Sequence, residues 1–286
     1  MSPSRTIHPV YTVDELRAQV AAWRAEGDTV ALVPTMGALH AGHAALMEAA
    51  AKLAQRVIVS IFVNPTQFAP TEDLSRYPRT LEADLDRAEK AGAHLAFVPD
   101  AEEMYPKGFA TTISLEGPAL GLETDFRPTH FAGVATVVAK LLIQTAPDVA
   151  LFGEKDYQQL QVVIRLGHDL NLPVRIVGVP TVREPDGLAL SSRNVYLGTE
   201  ERAAAPALHR SLQAAARAII DGADIAAAVA EARESVIAAG FVLDYLEARH
   251  AETLAPIASR DEGPIRLLVA ARIGATRLID NIGVSG

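Results

Sequence analysis

Two histidines three residues apart, His40 and His43, close the segment PTMGALHAGH at residues 34–43, directly behind the apolar run TVALV at 29–33. Side chains at this spacing fall on one side of a helical turn. A helix opening near Gly42 would also aim its first N–H groups at the same place, where an anion is favoured. Gly37 and Gly42 add no Cβ, so backbone can approach a ligand closely. The chemistry this suits is the holding of phosphate oxygens. The competing reading is a packing or capping pair, and both stay open on this segment alone.

Three further segments carry groups of matching chemistry. In FVNPTQFAPTEDLSRYPRT, which starts at Phe62, Asn64 and Gln67 offer neutral amides that orient a hydroxyl or carboxylate without adding charge. Pro65, Pro70 and Pro78 argue against a helix through 64–79, which reads either as a binding loop or lid, or as an exposed connector. Asp84, in the helical stretch that follows, is either a metal ligand or part of a solvated helix face. LFGEKDYQQL (151–160) repeats the strand, turn and helix pattern. Its Gly153 allows close approach, Lys155 is a point charge suited to polyphosphate, and Asp156 opens the helix and can accept from ribose hydroxyls. Gln158 and Gln159 are adjacent and point differently, one toward a ligand and one toward solvent. LALSSRNVYL (188–197) adds the hydroxyls of Ser191 and Ser192 and the guanidinium fork of Arg193, which matches phosphate oxygens. His130, with Arg127 and Thr129 before it, sits at a helix start where it caps, packs or serves a site. His8, His94, His168, His209 and His250 have no partners in sequence and read as surface or packing residues.

These groups need elements to hold them. Thr12 and Glu15 form a capping-box pattern that opens a helix through Trp23. Short apolar runs at 29–33, 57–63, 94–98, 149–152 and 174–179 then alternate with helical stretches. Continuous apolar strands fit a parallel sheet covered on both faces, and β-α-β alternation implies an open, doubly wound sheet. In such sheets ligands sit beyond the carboxyl ends of the strands, where the segments at 34–43, 62–80 and 151–160 open, while 188–197 sits at the domain boundary and would close over that edge. The tail differs: helical stretches near 199–221 and 224–239 lead into β-rich runs at 241–248, 265–271 and 276–282. This predicts a smaller α+β domain, with the boundary near Pro180 to Asp186.

The chain has 286 residues, 49% of them hydrophobic and 21% charged, with no cysteine and a formal net charge of −9. Disulfides, thiolate metal sites and a cysteine nucleophile are therefore excluded. The acidic balance gives no general attraction to nucleic acid. The start lacks the basic-then-apolar plan of a secretory signal, and no run is long enough to span a membrane. The expectation is a cytoplasmic protein with neither nucleic acid nor membrane as partner.

Together, PTMGALHAGH, FVNPTQF with EDLSRYPRT, RPTHFAGV, FGEKDYQQL and REPDGLALSSRNVYL, in this order across 34–197, resemble the pantothenate synthetase (pantoate–β-alanine ligase) family. The tail resembles that family's small C-terminal domain in length and pattern. The resemblance implies a Rossmann-like doubly wound parallel sheet of nucleotidylyl-transferase type in residues 1–182, binding nucleotide and pantoate. Residues 183–286 would form a smaller α+β domain that closes over the site. The implied activity is an AMP-forming ligation of pantoate to β-alanine, using ATP and Mg2+ and passing through a pantoyl adenylate. By the same resemblance, His40, His43, Lys155, Ser191, Ser192 and Arg193 meet the ATP phosphates, with Met36 and Gly37 beside them. Gly153 and Asp156 meet the ribose, and Val182 the adenine edge. Gln67 and Gln159 grip pantoate, Pro34, Met36 and Phe62 wall its gem-dimethyl group, and Asn64 organises that pocket. Asp84 matches an acidic position assigned to metal, although Ala83 beside it cannot ligate. A homodimer is implied as well. Two other readings stand beside this one. Another H-x-G-H adenylyl-transferring enzyme would need a cationic acceptor site beyond Lys155 and Arg193. A non-catalytic nucleotide-binding regulator would have no need to keep His40, His43, Lys155 and Arg193 together.

Overall fold

The computed structural model describes residues 7–68, 74 and 77–285. Part of the predicted 64–79 loop, at 69–73 and 75–76 and including Pro70, lies outside the described residues. In chain order the strands are β1 (His8–Val10), β2 (Val30–Thr35), β3 (Arg56–Ile61), β4 (Leu95–Phe97), β5 (Val149–Gly153), β6 (Arg175–Val179), β7 (Val242–His250), β8 (Ile265–Ile273) and β9 (Thr276–Val284). The α-helices are α1 (Val13–Ala25), α2 (Ala41–Ala50), α3 (Leu81–Lys90), α4 (Ala101–Met104), α5 (Glu123–Phe126), α6 (His130–Thr145), α7 (Tyr157–Asp169), α8 (Thr199–Ala204), α9 (Ala207–Ile220) and α10 (Ile225–Ala238).

The chain divides into two compact units, the first comprising Met1–Leu115, Arg127–Glu154 and Val162–Pro180. Its sheet is parallel throughout, in the order β1-β4-β3-β2-β5-β6. Ala31, Val33, Val57, Val59 and Leu151 pack with Leu46 and Met47 of α2 and Leu85 and Ala88 of α3. The alternate positions Leu32 and Ile58 are just as buried, so both faces are covered and the strands read as unbroken apolar runs. α1 starts at the expected capping box: Thr12 Oγ1 accepts from Glu15 N–H at 3.2 Å, and Glu15 Oε2 from Thr12 N–H at 3.0 Å. The N–H of Tyr11, then the N–H and the hydroxyl of Thr12, hold the Glu15 carboxyl below its ordinary pKa. α6 buries 13 of its 16 residues, so it is a core helix rather than a surface one. β1 has no counterpart among the predicted strands. It is a three-residue edge strand on β4, too short to show a period.

The second unit comprises Glu116–Phe126, Lys155–Gln161 and Thr181–Gly286. The sequence suggests one cut at 182/183; here two earlier segments also belong with the tail. Charge explains one of them. Arg277 of β9 donates to both carboxylate oxygens of buried Glu123 at 2.8 Å, and Tyr245 donates to the same carboxylate at 2.9 Å. Burial, then the Glu123 charge, pushes the Tyr245 hydroxyl well above its ordinary pKa, which keeps it a donor. The antiparallel sheet β7-β8-β9 packs Leu246, Leu267, Val269 and Leu278 against Leu208, Leu212, Ile219, Val229 and Val236 of α9 and α10. The predicted helix across 199–221 is two helices, α8 and α9, meeting at Pro206, which cannot donate a backbone hydrogen bond.

Candidate functional site

In the first unit the chain passes from β2 to β3 on one side of the sheet and continues through β5 and β6 on the other. The order therefore reverses between β2 and β5, and the carboxyl ends of these strands are where an open α/β sheet binds ligands. The register Ala31↔Val149 puts Thr35 level with Gly153 at that edge.

From Thr35 the chain turns through two left-handed residues, Gly37 (φ +82) and Ala38 (φ +50), into α2. His40 is the N-cap: its Nδ1 accepts from Gly42 N–H at 3.1 Å, and His43 Nδ1 accepts from His40 N–H at 3.2 Å. The rings lie with centroids 4.1 Å apart. Because both Nδ1 atoms are acceptors, the neutral rings carry their protons on Nε2, and both Nε2 atoms are donors. The capping reading is thus real, and it is the capping that places the ring proton on Nε2.

Two expectations are corrected here. Most N–H groups of this turn and of the start of α2 are already taken within the protein. Gly37 donates to Thr35 Oγ1, Ala38 and Leu39 to the Asp84 carboxylate, and His43 and Ala44 to His40 O. Gly42 does not open backbone to a ligand either, since a Cβ there would lie 2.9 Å from Cε1 of His40. It makes room for the capping ring.

Asp84 is corrected too. It is 3% exposed rather than on a solvated face, and its oxygens accept from Leu39 N–H (2.7 Å), Ala38 N–H (3.0 Å) and the Thr80 hydroxyl (3.2 Å). No group of three or more His, Cys, Asp or Glu among the described residues is arranged to hold a metal ion. These donors do not fit a resident Mg2+ site.

The amides lie on the next loop. Asn64 caps a single 3-10 turn, Pro65–Gln67, with Pro65 at its first position where a missing N–H costs nothing. Asn64 is 1% exposed and fully engaged: its Oδ1 accepts from Thr66 Oγ1 (2.9 Å) and Tyr105 OH (2.8 Å), and its Nδ2 donates to Gln67 Oε1 (3.1 Å) and Gly133 O (3.3 Å). It positions Gln67 rather than meeting a ligand itself. Gln67 Nε2 donates to Met36 Sδ at 3.1 Å, which brings these two predicted site residues into contact. Phe62 is buried with its ring 6.2 Å from Tyr105, and Pro34 is half-buried at the end of β2. Burial pushes the Tyr105 hydroxyl above its ordinary pKa, so it stays a donor to Asn64.

Tyr105 and Gly133, which the sequence did not single out, and Arg127 and His130, whose role it left open, complete this cluster. His130 Nδ1 lies 2.9 Å from Gln67 O and Arg127 Nη2 3.4 Å from it, while Arg127 Nη1 is 3.1 Å from His130 Nε2. A carbonyl only accepts, so His130 carries its proton on Nδ1, the opposite tautomer to His40 and His43. Gly133 of α6 lets the helix touch the turn, since a Cβ there would sit 2.4 Å from Thr66 O. The spacing of Arg127 and His130 in FRPTHFAG was the available signal.

Gly153 ends β5, and nothing lies within 4 Å of where its Cβ would be. A 3-10 turn, Glu154–Asp156, precedes α7, so that helix opens at Tyr157 rather than Asp156. In the second unit Lys155 Nζ lies 3.8 Å from Asp156 Oδ1, and Lys155 O accepts from Asn281. Gln158 is 3% exposed and bonds Glu123 N–H, Pro118 O and Gly121 O, so it is a structural residue; Gln159 is half-buried, and neither faces solvent outright. Val182 O accepts from Leu190 N–H at 3.0 Å, which closes a short loop ahead of Ser191. Ser191 caps the 3-10 helix Ser192–Tyr196 through Arg193 N–H, and Ser191, Ser192 and Arg193 are all half-buried.

A family model described as pantoate-beta-alanine ligase matches residues 8–283. A pantothenate synthetase of Rhodopseudomonas palustris (strain BisA53) is 60% identical over 274 residues, covering 96% of this chain and 97% of the relative. One of Nitrobacter winogradskyi is 59% identical over 285 residues, covering 99% and 100%. Among solved structures, pantothenate synthetase from Thermus thermophilus is similar with a TM-score of 0.92 at 50% identity, covering 98% of this chain and all of that one. A pantoate-beta-alanine ligase from Francisella tularensis, complexed with beta-gamma ATP and beta-alanine, gives 0.82 at 32% identity, covering 98% and 99%.

Proposed function

The chain belongs to the pantoate-β-alanine ligase family, and from that premise we propose how its residues divide the reaction among them. It is a ligase that forms pantothenate from pantoate and β-alanine with ATP. In the proposed route the pantoate carboxylate attacks the α-phosphorus of ATP, the bond to the bridging oxygen breaks, and pyrophosphate leaves. The β-alanine amine then attacks the acyl carbon of pantoyl adenylate, sheds a proton, and AMP leaves. Neither step needs a covalent nucleophile from the protein. Both need alignment and donors around crowded phosphate oxygens.

His40 and His43 serve as paired Nε2–H donors to the phosphate chain. Lys155, Ser191, Ser192 and Arg193 offer charge and hydroxyl donors suited to phosphate; Ser191, which accepts at its cap, still has its O–H to give. Gly153 and Asp156 meet the ribose, and Val182 the adenine edge. Gln67 and Gln159 take the polar side of pantoate, and Pro34, Met36 and Phe62 its methyl groups. Mg2+ comes as a companion of the ATP phosphates, its shell completed by water, rather than in a protein cage. Residues 1–182 hold nucleotide and pantoate, with 183–286 as the smaller domain. The chain works as a homodimer in the cytoplasm; a monomer in sedimentation would remove the dimer. No helix of the described residues is long and apolar enough to cross a membrane.

The observation that carries this reading is the reciprocal Nδ1 capping of His40 and His43 at the carboxyl edge of β2, which makes a donor of each Nε2. Isotope exchange between pyrophosphate and ATP, with Mg2+ present and β-alanine withheld, tests it. Exchange is expected only with pantoate, and adding β-alanine then yields AMP and pantothenate. A folded protein with no pantoate-dependent exchange refutes the adenylate route.

A further inference from the structure

We propose that Asp84 is a positioning residue, a buried carboxylate that fixes the turn delivering His40 and His43. The proposal rests on the functional reading above, in which those histidines meet phosphate. A tight turn can gather neighbouring backbone N–H groups into a concave nest that suits an anion. Gly37 and Ala38 make such a nest, and the anion filling it belongs to the protein: Oδ2 of Asp84 takes the Ala38 N–H and Oδ1 the Leu39 N–H. The Thr80 hydroxyl adds a third bond. Ala38 holds a φ that alanine disfavours, so the turn needs a partner to keep it there. α3 supplies that partner from a fixed place, because Leu85 and Ala88 anchor it in the core. A Cβ on Gly37 would lie 3.2 Å from the same carboxylate, so glycine and aspartate fit each other. The next N–H along the chain, that of His40, is the one capped by His43. A slip of the turn therefore moves both rings together.

Charge matters here as well as shape. A carboxylate presents an acceptor to each N–H, whereas an amide of the same size would set its NH2 against one of them. Asp84→Asn is the test, read by pantoate-dependent exchange. The expected result is a kcat roughly 100-fold lower, the loss that a displacement of about 1 Å brings. KM for pantoate should change far less than kcat, because Asn64, Arg127 and His130 hold Gln67 from outside the turn. Excess Mg2+ should not restore the rate, as it would for a lost metal ligand. A folded variant exchanging at the wild-type rate, or one rescued by Mg2+, overturns the proposal. If the variant does not fold, amide hydrogen exchange on the wild type decides: Ala38 and Leu39 must be protected, and open-turn exchange rates at both overturn the clamp. A wild type without pantoate-dependent exchange refutes the functional reading instead, and amide protection still decides the clamp.

Discussion

A histidine's proton sits where its neighbours leave room for it. His40 and His43 accept backbone N–H groups at Nδ1 and so carry Nε2–H, while His130 faces the Gln67 carbonyl and carries Nδ1–H. The first two are thereby donors at Nε2, and the third is spent on holding a loop. The sequence could not separate these roles, because tautomers depend on partners that the fold supplies. Gln67 shows the same dependence. Asn64 and Met36 bracket its amide and settle which end donates. Gln67→Ala is expected to raise KM for pantoate by about 10-fold, in line with a lost hydrogen bond to a charged group of roughly 1.5 kcal/mol. KM for ATP should hold steady in the same steady-state assays. Equal losses for both substrates would count against the amide's role.

At the scale of elements, α6 and the Pro65–Gln67 turn act as one piece. Gly133 lets helix and turn touch, and Asn64 bonds across the contact. Gly133→Ala puts a methyl into backbone, where overpacking costs about 1–3 kcal/mol. The melting temperature should drop by roughly 3–8 °C, and KM for pantoate should rise with it. Gly153→Ala is the matched control, expected to melt like wild type because nothing crowds that position. Thermal melts of the pair would settle the point, and equal melting temperatures would refute the contact's importance. The main strands were legible because parallel strands buried on both faces are continuous apolar runs. β1 was not, being three residues long. Asp84 was misplaced for a related reason: helical periodicity puts it in α3, but the N–H groups it meets are 45 and 46 residues away in sequence.

For the molecule as a whole, each unit builds its own core, and the second adds buried charge. Arg183 grips Asp280 through both nitrogens, at 2.7 and 2.9 Å, and His209 Nδ1 lies 3.6 Å from the same carboxylate. Burial alone would raise the Asp280 pKa, but His209 and Arg183 outweigh it and leave it lowered. A depressed carboxylate stabilises fully above its unfolded pKa of about 4 and loses that contribution as pH falls through the lower folded value. Asp280→Asn should therefore cost about 3 kcal/mol at pH 7, with the gap to wild type closing in strong acid. Urea unfolding across that range reads it, and a gap that persists in strong acid would refute the sign. The grouping of 116–126 with the tail was illegible in the sequence, since it depends on partners as far apart as Glu123 and Arg277. Those two stand 154 residues apart. During synthesis, at about 5–20 residues per second, Glu123 joins the chain roughly 8–30 s before its guanidinium partner does. Its segment cannot bury that charge in the meantime, so the second unit closes only when the last strand of the chain has been made.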